Sequence, residues 1–177
     1  MTDAAKTYGG SLYDLAKEED LCEVILADLK AVTQAAKEIP DYLKMLSSPS
    51  IKKEERKALI REAWEGRIHK YTLNFMCILC DNDGINEISD CTREFTNRFN
   101  RDNGITEAKI TSAIALDAEA QEKIKSAIEK KTGKTVQLAV KIDPDLVGGL
   151  RLEFEGKAYD GSVAYHLDAI KQILAGN

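Results

Sequence analysis

Through the first hundred residues the apolar positions recur at steps of three and four, the spacing that lines one face of a helix. Tyr8, Leu12, Leu15 and Ala16 mark such a face over about residues 4–19. Cys22, Ile25, Leu29, Val32, Ala36 and Ile39 mark a longer one that runs into Pro40, whose ring and missing N–H end a helix. One more turn of helix is expected over residues 42–46, before "SSPS" breaks the chain. Glu54 and Glu55 open the next helix, where the dipole favours anions. Its apolar stripe is Leu59, Ile60, Ala63 and Trp64. A further apolar helix is predicted over residues 68–80, and "DNDG" reads as a turn. Ile85, Ile88, Cys91, Phe95 and Phe99 mark a sixth helix that stops at Gly104, glycine being the usual left-handed cap. Six helices with short links predict a bundle.

Beyond Gly104 the period falls to two. Ala108, Ile110, Ser112 and Ile114 alternate with other residues, as do Val136, Leu138, Val140 and Ile142, and again Leu150, Leu152 and Phe154; each run predicts a strand. Between the first two, Asp117 caps a helix carrying Ala120, Ile124, Ala127 and Ile128. "EGK" turns the chain into a short strand through Tyr159, and Asp160 or Ser162 caps a last helix with Val163, Leu167, Ile170 and Leu174. The expected fold is therefore mainly α: a six-helix bundle over residues 1–104, then a small α+β domain over 105–177 with a few-stranded sheet and two helices.

Composition narrows the function. Hydrophobic residues make up 44% of the 177 and charged residues 31%, ordinary values for a packed globular chain. The net charge of -5 divides as -4 through Asn103 and -1 beyond it. Neither half offers the cationic surface that displaces counterions from nucleic-acid phosphates. The apolar runs fall well short of the ~20 residues that span a bilayer. "MTDAAKTYGG" has neither the basic and apolar regions of a secretory signal nor an Arg-rich transit character. Cys77 and Cys80 form a C-x-x-C inside the apolar run "LNFMCILC", so they read as small packing residues, with Cys22 and Cys91, and not as a redox or zinc pair.

"KKTGKTVQL" contains Gly-Lys-Thr, the end of a phosphate-binding loop. That loop needs another glycine at position 128, which is Ile128, with a strand before it and a helix after it. Here a helix precedes and a strand follows, so Gly133 reads as a helix stop. His69 and His166, the two histidines, have no Ser, Cys or carboxylate at a catalytic spacing. No catalytic group, cofactor or metal is expected.

"KIDPDLVGGLRLEFEGKAYDGSVAYHLDAI" is the informative stretch. It resembles the C-terminal signature of the ATP synthase delta subunit family, called oligomycin sensitivity-conferring protein in mitochondria. The matching residues are Asp143, Pro144, Leu146, Gly148, Gly149, Asp160, Ser162, Val163 and Leu167. "TYGGSLYDLAKE" is similar to the family's first helix and "LNFMCILCDND" to its fifth. The signature glycines read as backbone positions, and Asp160 and Ser162 as turn and cap residues. Gly9 and Gly10 stand where the family favours alanine, so the first helix is expected to be looser by about 1 kcal/mol per glycine.

The resemblance implies a non-catalytic stator subunit of the rotary proton-translocating ATP synthase. Such a subunit is peripheral, on the cytoplasmic face of the cell membrane, and takes part in ATP synthesis and hydrogen-ion transport through its complex. It implies that the N-terminal bundle receives the N-terminal helix of an alpha subunit between its first and fifth helices. Tyr8, Ser11, Leu12 and Leu15 would form one wall, and Asn74, Phe75 and Ile78 the other. The C-terminal domain would engage the C-terminal helices of the b-subunit stalk. The rival readings are an unrelated helical adaptor, which would lack the paired glycines and the Asp-x-Ser, and an enzyme with a concealed site.

Overall fold

The structure, a computed structural model, describes residues 2–144, 146, 150–154 and 157–160. The chain divides into two compact units, Met1–Phe99 and Asn100–Asn177. The division falls a few residues before the boundary expected from sequence, inside the last turns of one continuous helix.

The first unit holds α1 (Asp3–Glu18), α2 (Cys22–Glu38), α3 (Pro40–Leu46), α4 (Lys53–Trp64), α5 (Lys70–Asp81), a 3-10 turn (Ile85–Glu87) and most of α6 (Ile88–Asp102). Their apolar stripes meet in one core that includes Leu12, Tyr13, Ile25, Leu29, Ile60, Phe75, Leu79, Ile88 and Phe95. α3 starts at Pro40, two residues earlier than expected, because proline is tolerated at a first helical position whose N–H needs no partner. Side-chain caps fix two helix starts: Thr2 accepts from the Ala5 N–H, and His69 Nδ1 accepts from the Tyr71 N–H.

Gly9 and Gly10 correct the sequence reading. Both are buried. A Cβ on Gly9 would stand 2.6 Å from the Cys91 carbonyl oxygen and 3.0 Å from its Cα. The missing side chain is what lets α1 approach the backbone of α6, and Tyr13 packs edge-on against Phe95 with ring centroids 5.3 Å apart. The lost propensity is the cost of a close helix contact, not slack.

In the second unit, β1 (Ile105–Ser112), α7 (Ala118–Thr132), β2 (Thr135–Ile142), β3 (Leu150–Phe154) and β4 (Lys157–Asp160) follow in order. The sheet runs β2-β1-β3-β4, with β1 and β2 parallel and the other pairs antiparallel. Ala108 lies opposite Leu138 and Phe154, and Ile110 opposite Val140 and Leu152. Ala108, Ile110, Val136, Leu152 and Phe154 form a core with Ile124 and Ile128 of α7. Ile114 departs from the predicted alternation: the chain leaves the sheet after Ser112, and Ile114 is 67% exposed. Ile142, at the end of β2, is exposed as well.

Candidate functional site

Of the seven residues expected to line a groove on the first and fifth helices, the structure separates core from surface. Leu12 and Phe75 are buried in the common core, and Tyr8 packs against it half-buried. Four face outward. Ser11 and Leu15 are exposed one turn apart on α1, and Asn74 and Ile78 one turn apart on α5. Leu15 is 37% exposed and Ile78 47%. Asn74, which the resemblance puts on a groove wall, is exposed, so burial does not force it to find a partner within the chain. Both helices pack against α2.

α5 is anchored at both ends. Asp28 of α2 accepts from the His69 N–H at 2.7 Å and from the Thr72 hydroxyl at 3.0 Å. At the other end, Lys53 pairs with Asp83 at 3.0 Å, Arg56 with Asp83 at 3.2 Å, and Lys57 with Asp81 at 3.0 Å. Lys53, then Arg56, hold the Asp83 carboxyl below the usual carboxylate range by hydrogen bonding. Arg56 is 4% exposed. Sequence reasoning missed it, because "KKEERK" has the look of a solvated helix start and a buried guanidinium leaves no periodic trace.

The thiols are those of a packed interior. Cys77, Cys80 and Cys91 are buried, and Cys22 is partly so. Desolvation raises all three buried thiols. Cys91 is pushed up to about 12, with Glu87 and Asp90 adding to the effect of burial. A neutral, shielded thiol is a poor nucleophile and a poor metal ligand.

The Gly-Lys-Thr loop leaves the C-terminus of α7. Gly133 is left-handed at φ 66°, and its N–H donates to the Glu129 carbonyl, the geometry of a helix stop. The carbonyls at such an end repel a phosphate. Among the described residues no three His, Cys, Asp or Glu side chains are grouped to hold a metal, and no helix is long and apolar enough to cross a membrane.

Of the signature residues, Asp143 and Pro144 begin a turn at the end of β2. The Asp143 N–H donates to the Ser112 carbonyl at 2.8 Å, and its carbonyl accepts from the Leu146 N–H. Asp160 ends β4, opposite Arg151 in the register. Gly148, Gly149, Ser162, His166 and the expected final helix lie outside the described residues.

The family model of the ATP synthase delta (OSCP) subunit matches residues 4–174. ATP synthase subunit delta of Lysinibacillus sphaericus (strain C3-41) is 30% identical over 173 residues, covering 97% of each chain. That of Geobacillus sp. (strain WCH70) is 30% identical over 173 residues, again with 97% of each covered. That of Desulfitobacterium hafniense (strain Y51) is 29% identical over 171 residues. In fold, the chain is similar to one from the cryo-EM structure of the Toxoplasma gondii mitochondrial ATP synthase hexamer. The TM-score is 0.74, at 18% identity, covering 100% of this chain and 99% of that one. The rival of an unrelated adaptor falls here: with a family model spanning nearly its whole length, this chain belongs to the ATP synthase delta (OSCP) subunit family.

Proposed function

We propose that this chain is a non-catalytic stator subunit of a rotary, proton-translocating ATP synthase, joining the catalytic head to the peripheral stalk so that the head resists rotor torque. The reading is carried by the family match over residues 4–174. The six helices of the first unit act as a bundle that receives the N-terminal helix of an alpha subunit. The second unit engages the C-terminal helices of the b-subunit stalk. The chain works at the cytoplasmic face of the cell membrane, held there by its partners.

The groove takes its chemistry from α1 and α5. Ser11 and Leu15 form one rim and Asn74 and Ile78 the other, with buried Leu12 and Phe75 beneath. Exposed leucine and isoleucine beside a small hydroxyl and an amide suit an amphipathic partner helix, whose apolar stripe fills the channel. Retrieval of the tagged full chain from gently solubilised membranes tests the role. Alpha, beta and b subunits are expected to come with it. Recovery of the chain free of all three would refute the proposal.

A further inference from the structure

Two helices other than α1 hold the groove helix α5 in place, and the hold at its far end is unusual. Lys53 Nζ donates to the carbonyl of Asp81, the last residue of α5, and pairs with Asp83. Lys57 pairs with Asp81. Arg56 Nη1 donates both to Asp83 Oδ1 at 3.2 Å and to the carbonyl of Leu46, the last residue of α3, at 3.1 Å. Asp83 is left-handed at φ 54°, a conformation a non-glycine residue keeps only where its surroundings favour it. The turn it belongs to is continuous with Ile78, whose carbonyl accepts from the Asn82 N–H and from Asn82 Nδ2.

Lys53 and Asp83 are exposed enough for water and salt to weaken their pairing. Arg56 differs. It is buried, and its Nε has no hydrogen-bond partner among the described residues. Burial of a guanidinium with an N–H unpaired is unfavourable, and an apolar side chain of similar volume often serves stability as well or better. Its two bonds nevertheless join the end of α3 to the turn that closes α5.

Resting on the groove reading above, we propose that Arg56 is a positioning residue: by tying the end of α3 to the turn after α5, it fixes the last turn of α5 and so places Ile78 for the partner helix. Lys53 and Lys57 add salt-sensitive support from the same helix, α4.

The test uses the full chain with Arg56→Met, Arg56→Lys and Asp83→Gly. Three quantities are read: the urea midpoint, amide exchange over residues 78–84, and affinity for a synthetic alpha-subunit N-terminal peptide. Arg56→Met is expected to leave the midpoint near that of the wild type. Loss of the charged hydrogen bonds is expected to speed exchange over residues 78–84 by roughly tenfold, and to weaken the peptide roughly three- to tenfold. Asp83→Gly suits the positive φ yet removes the shared acceptor, so it gives the same pattern even if Arg56→Met folds poorly. Arg56→Lys, able to reach one partner at a time, recovers part of the affinity. Unchanged exchange in both Arg56→Met and Asp83→Gly overturns the clamp. Faster exchange with unchanged peptide affinity overturns the positioning role. If wild type binds no peptide while its residues 78–84 stay protected, the groove reading fails, and the positioning role fails with it.

Discussion

Gly9→Ala sets two known effects against each other at one position. In an exposed helix interior the change would stabilise by about 1 kcal/mol, through lower backbone entropy in the unfolded chain. At Gly9 the added Cβ meets the Cys91 carbonyl oxygen at 2.6 Å, the Cys91 Cα at 3.0 Å and the Glu94 Cβ at 3.1 Å. The nearest two atoms are backbone of α6 and cannot rotate away. α1 must retreat by several tenths of an ångström, and the Tyr13–Phe95 contact opens with it. Overpacking costs about 1–3 kcal/mol, and with backbone as the obstacle the upper part of that range applies, about 2–3 kcal/mol, so the net expectation is a loss of about 1–2 kcal/mol after the propensity gain of about 1 kcal/mol. Gly10 is the internal control, since the three atoms nearest its Cβ would all belong to the guanidinium end of Arg98. That side chain can shift, loosening its pairs with Asp14 at 3.2 Å and with Glu94 at 2.9 Å, together worth about 1 kcal/mol. Gly10→Ala is therefore expected within about 0.5 kcal/mol of wild type, the gain in propensity offsetting the loosened pairs. Urea unfolding followed by far-UV circular dichroism measures both. A Gly9→Ala chain as stable as wild type, or a Gly10→Ala chain less stable than Gly9→Ala, would refute the reasoning.

Three further outcomes are expected. The Cys91 thiol is near 12 in the folded chain, above its ordinary value of 9.0. Its contribution to stability is thus complete below pH 9 and declines as pH rises from there towards 12, at up to about 1.4 kcal/mol per pH unit; urea titrations at pH 8, 9 and 10 on wild type and Cys91→Ser check this, and an identical pH slope in the two would contradict it. Asp28→Ala removes the acceptor of the His69 N–H and the Thr72 hydroxyl, so a loss of about 2 kcal/mol is expected, with exchange protection falling first at the start of α5; uniform loss of protection across the first unit would speak against a local anchor. Calorimetry with Mg-ATP is expected to give only dilution heat, because the Gly-Lys-Thr loop follows the C-terminus of α7; micromolar binding abolished by Lys134→Ala would reverse that assignment.

The sequence carried the elements and their buried faces because both follow from local periodicity. Ile25, Leu29, Val32 and Ala36 point inward as their three-and-four spacing requires, and Gly133 ends α7 where a left-handed residue was needed. What periodicity does not encode is the distance between two helices. Gly9 read as weakness because the backbone that fills the space beside it belongs to Cys91, 82 residues away by number. Arg56 was invisible for the same reason: the acceptors that compensate a buried guanidinium lie on α3 and in the turn after α5. Leu12 and Phe75 were assigned to the groove with Leu15 and Ile78, since one helical face passes from core to surface within a turn and only packing draws the line. Ile114 extended a strand pattern past the last residue the sheet could pair.

The central claim is that the open faces of α1 and α5 receive a helix of the catalytic head. Titration calorimetry of the full chain with a synthetic alpha-subunit N-terminal peptide tests it most directly, comparing wild type with Ser11→Asp and Ile78→Asp at several temperatures. The account predicts saturable binding to wild type with a negative heat-capacity change, as apolar area is buried. In each variant it predicts a loss of several kcal/mol, since a carboxylate is desolvated in the channel, with the helical signal retained. Equal affinity in all three chains would contradict the account.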